Sequence, residues 1–405
     1  MKNVTYYLLL AGVTILGLQT GCTPSAPEAT TWHFTAVPLP AAANGGESRF
    51  FQTAGGMTWL SWVSYLDDST DVLQYAPWQA DGWGPASTIS QGHDWFVNWA
   101  DFPALSSFQE EPDHLVAHWL QKSAAGTYDY DIKISLTDPT GQQWLAPQTL
   151  HRDTFPAEHG FLSFVSQPGH VQAVWLDGRQ AKTDGPMSLR TAKISPAGQV
   201  YDTLALDRRV CDCCQTAAVA TRKGLLVAYR DRSETEIRDI SLVRETATGW
   251  SAPYQVHPDG WKIAGCPVNG PSLASFGDTV ALAWFTGAVD SGAVYLSFST
   301  DGGTHFGPRL QLNERATLGR IATAFTPAGN LVVVWLESQG TAAVLRLQEI
   351  TPAGKTYPIV DVAPMSVARA SGFPQVVALA DALLVSYTDV DEDGNSGVVT
   401  LWGVR

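Results

Sequence analysis

The stretch Thr279–Gly287, TVALAWFTG, shows the unit on which this chain is built: a run of apolar residues that leads to an aromatic side chain. Six other stretches repeat this form, with their aromatic residues at Trp62, Trp119, Trp175, Tyr229, Trp335 and Tyr387. Successive aromatic residues, including Trp284, are 51 to 57 residues apart. This period is typical of four-stranded propeller blades and exceeds the roughly 20 to 47 residues of common solenoid repeats. We predict an all-β, seven-bladed β-propeller, with a six-bladed ring as the alternative if one copy is degenerate.

The two ends of the chain predict how the ring closes. The last copy ends at Arg405 after three strand-like segments, so it lacks an outer strand. Thr31–Leu39, TWHFTAVPL, has the form of an outer strand but follows no inner ones. Pairing this segment with the last copy would complete that blade and remove free sheet edges. We therefore expect the N-terminal strand to close the propeller.

The composition fits this fold class and excludes two kinds of partner. The 405 residues include 15 Trp, 36 Gly and 24 Pro but only 25 Lys and Arg, which favours short strands joined by turns over helices. The formal net charge is −14 at pH 7. An acidic chain is poorly suited to coat nucleic acid or to bind an anionic membrane surface by charge. We expect no nucleic-acid partner.

The N-terminus predicts export. A basic residue precedes an apolar run over residues 6–18, which is too short to span a bilayer. The segment resembles a bacterial lipoprotein signal, which implies that residues 1–21 are removed and that Cys22 is acylated. A simple cleaved signal that leaves an unanchored protein is the alternative. We expect residues 22–30 to be a tether, residues 31–405 to be one propeller domain, and the protein to be lipid-anchored in the bacterial cell envelope, facing the periplasm or the cell surface.

One turn of the fifth copy has a recognisable sequence. In Ser299–Phe306, STDGGTHF, the side chains of Ser299 and Asp301 can cap a tight turn, and Gly303 tolerates a positive φ. Phe306 can then pack on the following strand. This pattern fits the Asp-box, or BNR repeat, and the chain in this respect resembles the sialidase-like β-propellers.

The resemblance implies a fold but does not supply catalytic residues. Sialidases use three arginines, a Tyr/Glu nucleophile pair and an Asp acid, and the first arginine lies in an Arg-Ile-Pro motif of the first blade. No such motif follows the signal here, and Arg320-Ile321 precedes Ala322 in a later copy. Whether the chain is an enzyme therefore stays open. If it is one, the resemblance implies a glycoside hydrolase similar to exo-sialidases.

Three unusual segments are expected on one face of the propeller. They are CDCC at residues 211–214, RDRSETEIRD at 230–239, and WKIAGCPVNGP at 261–271. Charged residues make up 16% of the chain but seven of the ten residues in the second segment. In a propeller, the loop that precedes a blade and the loop between its second and third strands lie on the same face. We expect these segments of copies four and five to meet beside the central channel, where propellers commonly bind ligands.

The cysteines of these segments allow three interpretations. Cys211, Cys213, Cys214 and Cys266 can form disulfides, which are common in exported proteins and would link the CDCC loop to Cys266. They can instead hold a soft metal such as Cu(I) or Zn(II) as thiolates, although no CxxC spacing is present. A redox-active dithiol is the third interpretation.

The charged residues beside them suggest an anion site. Arg230, Arg232 and Arg238 could clamp a carboxylate or sulfate through their planar guanidinium groups. We assign Glu236 or Asp231 as the acid or base, and Asp239 and Asn269 as further ligand contacts. The alternative is a solvated loop with mutual ion pairs and a turn residue at position 269.

These observations leave three functional hypotheses. The first is an exported propeller lipoprotein that binds an anionic glycan at the face of copies four and five, with or without hydrolysing it. The second is a non-enzymatic scaffold that binds a protein partner, with its loops joined by disulfides. The third is a thiolate metal site for copper handling, with Cu or Zn as the cofactor.

Overall fold

The structure is a computed structural model that describes residues 1–2, 31–41, 44–80, 82–183 and 185–405. The expected signal segment and Cys22 lie outside the described residues. Residues Thr31–Arg405 form one compact unit. Apart from strands, the described chain contains two 3₁₀ turns, η1 (Ala181–Thr183) and η2 (Arg369–Ser371). No helix within these residues has the length and apolar character needed to cross a membrane.

Seven antiparallel sheets form the blades of the propeller, as predicted. The strands are β1 (His33–Val37), shared with blade 7; blade 1, β2 (Gly45–Gln52), β3 (Thr58–Asp67), β4 (Thr70–Gln79), β5 (Gly82–Trp83) and β6 (Ser87–His93); blade 2, β7 (Ala104–Phe108), β8 (Glu111–Lys122), β9 (Tyr130–Leu136) and β10 (Gln148–Thr149); blade 3, β11 (His159–Gln167), β12 (His170–Asp177), β13 (Met187–Ile194) and β14 (Val200–Val210); blade 4, β15 (Ala217–Thr221), β16 (Gly224–Arg230), β17 (Ile240–Thr246), β18 (Gly249–Trp250) and β19 (Tyr254–Gln255). The remaining strands are, in blade 5, β20 (Ser272–Phe276), β21 (Thr279–Thr286), β22 (Ala293–Ser299) and β23 (Leu310–Gln311); in blade 6, β24 (Thr317–Phe325), β25 (Leu331–Gln339), β26 (Ala342–Ile350) and β27 (Val360–Met365); in blade 7, β28 (Gln375–Ala378), β29 (Leu383–Val390) and β30 (Ser396–Val404).

The N-terminal strand closes the ring. Strand β1 pairs antiparallel with β30, with His33 opposite Val404 and Val37 opposite Thr400. The Thr400 hydroxyl also donates a hydrogen bond of 2.8 Å to the Val37 carbonyl. Both ends of the chain therefore contribute strands to blade 7, and the prediction of a seven-bladed ring closed by the N-terminal strand is confirmed.

The repeated aromatic residues pack between blades. Trp175 belongs to one buried cluster with Val116 of the preceding blade, and Trp335 belongs to another with Ala283. Both indoles are fully buried. Each donates to a polar side chain two residues further on: Trp175 Nε1 lies 3.0 Å from Asp177 Oδ2, and Trp335 Nε1 lies 3.2 Å from Glu337 Oε1. The repeat is thus a core feature, because every sheet is covered on both faces and its buried indoles need hydrogen-bond acceptors.

The Asp-box segment forms a compact turn at the edge of blade 5. The Ser299 hydroxyl donates to Asp301 Oδ1 at 2.8 Å and accepts from the Gly303 amide at 2.8 Å. Asp301 Oδ1 accepts the amides of Thr304 and His305 at 3.0 and 2.9 Å. Gly303 has a φ of 80°, and Phe306 packs on the cluster between blades 4 and 5. The motif therefore stabilises the local turn.

Candidate functional site

The three unusual segments come together on one face, which we call the upper face. It carries the loops that precede each blade and those between second and third strands. The Cys211 amide donates to the Arg230 carbonyl at 3.0 Å. On its other side, the 231–239 hairpin pairs with the loop before blade 5, where the Arg238 amide donates to the Trp261 carbonyl at 2.8 Å. Backbone hydrogen bonds thus hold CDCC, the charged hairpin and the Cys266 loop together.

Arg230 is buried and bonded to backbone carbonyls. Its side chain is 1% exposed. It makes four hydrogen bonds of 2.6 to 3.0 Å, to the carbonyls of Asn269, Phe285 and Arg238. Its guanidinium lies 4.9 Å from the centre of the Trp261 ring. Arg230 therefore joins blade 4 to blade 5, and its predicted role in gripping a ligand anion is replaced by a structural one.

Arg232 and Arg238 neutralise acidic neighbours. Arg232 donates to Glu236 at 2.8 Å and to Asp212 at 3.1 Å, while Arg238 donates to Glu236 at 2.8 Å. These bonds, those of Arg232 first, lower the pKa of Glu236 below its usual value. Glu236 thus stays ionised and is unsuited to donate a proton, which argues against its predicted role as an acid. Arg232 and Glu236 keep about a quarter of their side chains exposed, and Arg232 remains a predicted ligand contact.

The other predicted contacts of the hairpin also serve the protein backbone. Asp239 is 1% exposed and accepts the amides of Gly260 and Trp261 at 2.8 and 2.9 Å. Asn269 Oδ1 accepts the Arg320 amide at 2.7 Å. Asp239 and Asn269 fix the loop before blade 5, so ligand binding at these two positions is not supported.

Asp231, the second predicted acid or base, is also held inside the hairpin. Its Oδ2 accepts the Ser241 hydroxyl at 2.8 Å, and its Oδ1 accepts the Arg232 amide at 2.7 Å. Burial raises the pKa of Asp231, with the Asp207 charge adding to the shift. Both carboxylate oxygens thus have protein partners.

The four cysteines of the upper face are free thiols. Cys211 Sγ lies 3.9 Å from Cys213 Sγ and 3.7 Å from Cys214 Sγ, so no described pair is at disulfide distance. Hydrogen bonds from Cys213 and Cys214 hold the pKa of the Cys211 thiol well below its ordinary value. Cys211 and Cys214 are buried and Cys266 is exposed. The predicted disulfides are therefore absent among the described cysteines, while the predicted proximity of these residues is observed.

A further carboxyl group, which was not predicted from the sequence, lies in the loop before blade 3. Tyr130 Oη donates to Glu158 Oε1 at 2.9 Å. Burial raises the pKa of Glu158 to about 8, and the charges of Asp101, Asp212 and Cys266 add to the shift. Glu158 is thus an electrostatic neighbour of the thiol loops. In the sequence, the only indication that Glu158 could belong to the site is its position in the loop before a blade, which is equivalent to the position of CDCC.

Asp101 is the nearby carboxylate of the loop before blade 2. It is 3% exposed and accepts the Phe161 amide at 2.8 Å through Oδ2, whereas its Oδ1 has no hydrogen-bond partner. Burial raises the pKa of Asp101 to about 7. Glu158 and Asp101 are therefore carboxyl groups that hold protons near neutral pH.

Two stacked histidines between blades 2 and 3 form a separate ionic network. The rings of His151 and His159 are 3.7 Å apart. Asp153 Oδ2 lies 2.9 Å from His151 Nδ1, and Asp153 Oδ1 lies 3.2 Å from His159 Nε2. Arg179 pairs with Asp153 at 2.9 Å and with Asp177 at 2.6 Å. Arg179 therefore bridges the two carboxylates, and the network links the loop between blades 2 and 3 to strand β12.

The central channel contains a cavity of about 320 Å³ lined by the inner strands, including Arg49 of β2, and by Asp101 of the loop before blade 2. The loop before blade 2 crosses it at the upper face. The Trp99 ring stacks on Phe373 of the loop before blade 7 at 5.8 Å. The Gln215 side chain, from the loop before blade 4, bonds the carbonyl of Ala100. The loop before blade 2 therefore contacts the loops before blades 4 and 7 at this face.

Comparisons with known proteins show the fold alone. No protein-family model matches the chain, and no curated protein does. The structure is similar to polysaccharide lyase Uly1, with a TM-score of 0.57 and 9% identity, covering 95% of this chain and 94% of that chain. It is also similar to a PL25 ulvan lyase bound to -[GlcA(1-4)Rha3S]-, with a TM-score of 0.50 and 13% identity over 89% and 94% of the two chains.

A sialidase from Trypanosoma rangeli gives a TM-score of 0.46 at 11% identity, covering 80% of this chain and 57% of that one. The structural neighbours thus include both polysaccharide lyases and sialidases. The protein is a seven-bladed β-propeller in fold.

Proposed function

We propose that the protein binds an acidic polysaccharide across the upper face, beside the loops before blades 3, 4 and 5, and that Glu158 exchanges a proton with it. The observation that carries this proposal is the Tyr130–Glu158 pair, in which a phenol positions a carboxyl group that is only partly buried. Two solved propellers of similar fold are named as polysaccharide lyases, and one of them holds a sulfated glucuronyl disaccharide.

The surroundings of Glu158 suit a sugar chain. Tyr128 and Phe155, close to Tyr130 and Glu158 in sequence, are 58% and 59% exposed. Exposed aromatic rings can stack on the apolar faces of sugars. Arg232 is partly exposed and Lys262 is exposed on the adjoining loops, and both can attract carboxylate or sulfate groups.

The chemistry follows from the protonation state of Glu158. Because its pKa is raised to about 8, the carboxyl group carries a proton at neutral pH and can donate it to a glycosidic oxygen. Tyr130 is fully buried and acts as a positioning residue, since its hydroxyl fixes the orientation of that carboxyl group. This proposal moves the acid from the predicted Glu236 to Glu158.

The test is a panel of acidic polysaccharides, including a sulfated glucuronate polymer and a sialic-acid polymer, with neutral glycans as controls. Binding is measured by calorimetry, and cleavage by new reducing ends and by the absorbance of unsaturated uronates, which separates a hydrolase from a lyase. We expect Glu158→Gln to lose about 100-fold or more in cleavage rate while it retains binding. Glu236→Gln is the matched control and should change the rate less than about 10-fold.

The proposal fails if no acidic glycan binds, or if Glu158→Gln cleaves as fast as the unsubstituted protein. Failure of all glycans to bind would favour a scaffold that binds a protein partner.

We also propose export and lipid attachment through Cys22. The support is the sequence pattern of residues 1–22. Mass spectrometry of the membrane fraction should find an acylated N-terminal cysteine. Cys22→Ser should move the protein to the soluble fraction, and an unchanged membrane association would refute lipid attachment.

A further inference from the structure

We infer that Cys211, Cys213 and Cys214, with Cys266 at the rim, hold one thiophilic metal ion, Cu(I) or Zn(II). This inference goes beyond glycan binding and rests on the positions of the sulfur atoms. The Sγ atom of Cys211 lies 3.9 Å from that of Cys213 and 3.7 Å from that of Cys214. All three sulfurs lie within 4.8 Å of one another.

These separations match those of ligands around a shared ion. The sulfurs of a disulfide are about 2.05 Å apart. Two thiolates bound to one ion at about 2.3 Å are separated by about 3.8 Å at a tetrahedral angle and about 4.0 Å at a trigonal one. The observed distances fall at these values and are far too long for an S–S bond, so the loop is arranged for coordination.

The sulfurs are held in place by the strands on either side. Val210, the last residue of β14, pairs with Asp231 of the charged hairpin. The next amide, that of Cys211, donates to the Arg230 carbonyl. Because Arg230 is itself bonded to carbonyls of blade 5, the Cys211 backbone is fixed to two blades. A loop ordered in this way loses little conformational entropy when it binds an ion.

The donor set selects a soft metal. In the described part of the chain, the group of close ligand atoms at this site consists of sulfur alone. Sulfur ligands favour Cu(I) and Zn(II) over the hard ions Mg²⁺ and Ca²⁺, which prefer oxygen. Three sulfurs complete a trigonal Cu(I) site, whereas Zn(II) requires a fourth ligand.

Cys266 is the candidate for that fourth sulfur and for a route from solvent. It belongs to the loop before blade 5, and its sulfur lies outside the group of three that are within 4.8 Å of one another. Cys266 is exposed, whereas Cys211 and Cys214 are buried. An ion can therefore reach the inner sulfurs past Cys266.

Arg238 acts as a positioning residue for the site. Its side chain is 4% exposed, and its guanidinium donates to Cys211 Sγ at 3.2 Å while it also binds Glu236. Three or four thiolates carry more negative charge than one Cu(I) or Zn(II) ion can neutralise. A buried cation beside them offsets part of this excess. Partners of this kind orient a ligand and typically account for about 10- to 100-fold in metal affinity.

The test loads the full-length protein, reduced and free of oxygen, with each metal alone. Cu(I) and Zn(II) are titrated in competition with a coloured chelator for each ion, and X-ray absorption reports the ligands. We expect one ion per chain, with three or four sulfurs at about 2.3 Å. Tight binding of Cu(I) but not of Zn(II), or of Zn(II) but not of Cu(I), identifies the metal.

Substitutions then assign the ligands. Cys211→Ser and Cys214→Ser should each weaken binding by more than about 100-fold, and Arg238→Gln by about 10- to 100-fold. Cys266→Ser is the matched control for the rim position, and it should weaken Zn(II) binding more than Cu(I) binding. Because a buried serine can disturb folding, the unsubstituted protein provides a second readout: bound metal should protect the thiols of Cys211 and Cys214 from alkylation.

The inference is overturned if the reduced protein takes up neither ion. It is also overturned if the two buried-cysteine variants bind metal as tightly as the unsubstituted chain, or if the native protein contains disulfides among these four cysteines. None of these results depends on a glycan, so the metal site and the glycan site can fail separately.

Discussion

Glu236 and Glu158 lie in loops of the same face and have opposite environments. Glu236 accepts hydrogen bonds from Arg232 and Arg238, which lower its pKa. Glu158 accepts a hydrogen bond from Tyr130 in a partly buried setting, and this burial raises its pKa to about 8. The charge-rich segment therefore contains groups that neutralise one another, whereas the carboxyl group suited to proton transfer lies in an ordinary stretch of sequence.

The largest effect should come from removing the buried arginine of the charge-rich hairpin. Arg230→Ala leaves the carbonyls of Asn269, Phe285 and Arg238 without donors, and we expect a loss of about 3 kcal/mol or more in the free energy of unfolding. Denaturant unfolding of the purified protein measures this change.

The control is Arg232→Ala, which removes a partly exposed arginine two residues away. It should cost about 1 kcal/mol or less, because its ion pairs face solvent. Equal losses in the two variants would contradict the structural role assigned to Arg230.

The two glutamates should respond to pH with opposite signs. The folded-state pKa of Glu158 lies above its usual value of 4.5, so the folded state binds more protons and stability falls as pH rises from about 4.5 through about 8. Glu158→Gln should therefore become more stable relative to the unsubstituted protein as pH rises. Melting temperatures from pH 5 to pH 9 measure this trend.

For Glu236 the folded-state pKa lies below the usual value, so its stabilising contribution is present above that value and is lost as pH falls through the lowered one. Glu236→Gln should destabilise the protein at pH 7 by about 1 kcal/mol and by less in acid. If the stability of the two variants, relative to the unsubstituted protein, changed with pH in the same direction, the opposite pKa shifts assigned to the two glutamates would be wrong.

A similar pair in blade 1 can show whether the raised pKa alone produces activity. Tyr65 donates to Glu47 at 2.5 Å, and burial raises the pKa of Glu47 to about 7. Glu47→Gln should reproduce the pH trend of Glu158→Gln in melting temperature, with a smaller range. It should leave glycan cleavage unchanged, and a loss of cleavage would place the active site at blade 1.

The smallest effect is expected at the Asp-box turn. Asp301→Asn weakens the acceptor for the amides of Thr304 and His305 at a partly exposed position, and we expect a loss of about 1 kcal/mol or less. Metal affinity should not change, because the turn caps the edge of blade 5 and does not contact the cysteines. A change in metal affinity, measured with the same chelators, would contradict this separation.

The fold was largely predictable because its signal is repeated. The aromatic positions from Trp62 to Tyr387 recur once per blade, and each apolar run must be covered on both faces. The unpaired N-terminal segment and the incomplete last copy together predicted β1 beside β30, which the structure confirms. The candidate site was predictable only in part, since residue types identified the cysteines and the arginines but not the partners of each guanidinium.

The sequence by itself predicted seven blades, with six as the alternative, together with the closure of the ring and the cysteine-rich loop of blade 4, because these depend on hydrophobic period and on residue type. Only the tertiary structure decided that Arg230 and Asp239 bind backbone, that the sulfurs of Cys211 and Cys214 lie 3.7 Å apart, and that burial raises the pKa of Glu158 to about 8. The physical reason is that pKa and coordination depend on distances and burial between residues of different blades, which the order of residues along one chain does not contain.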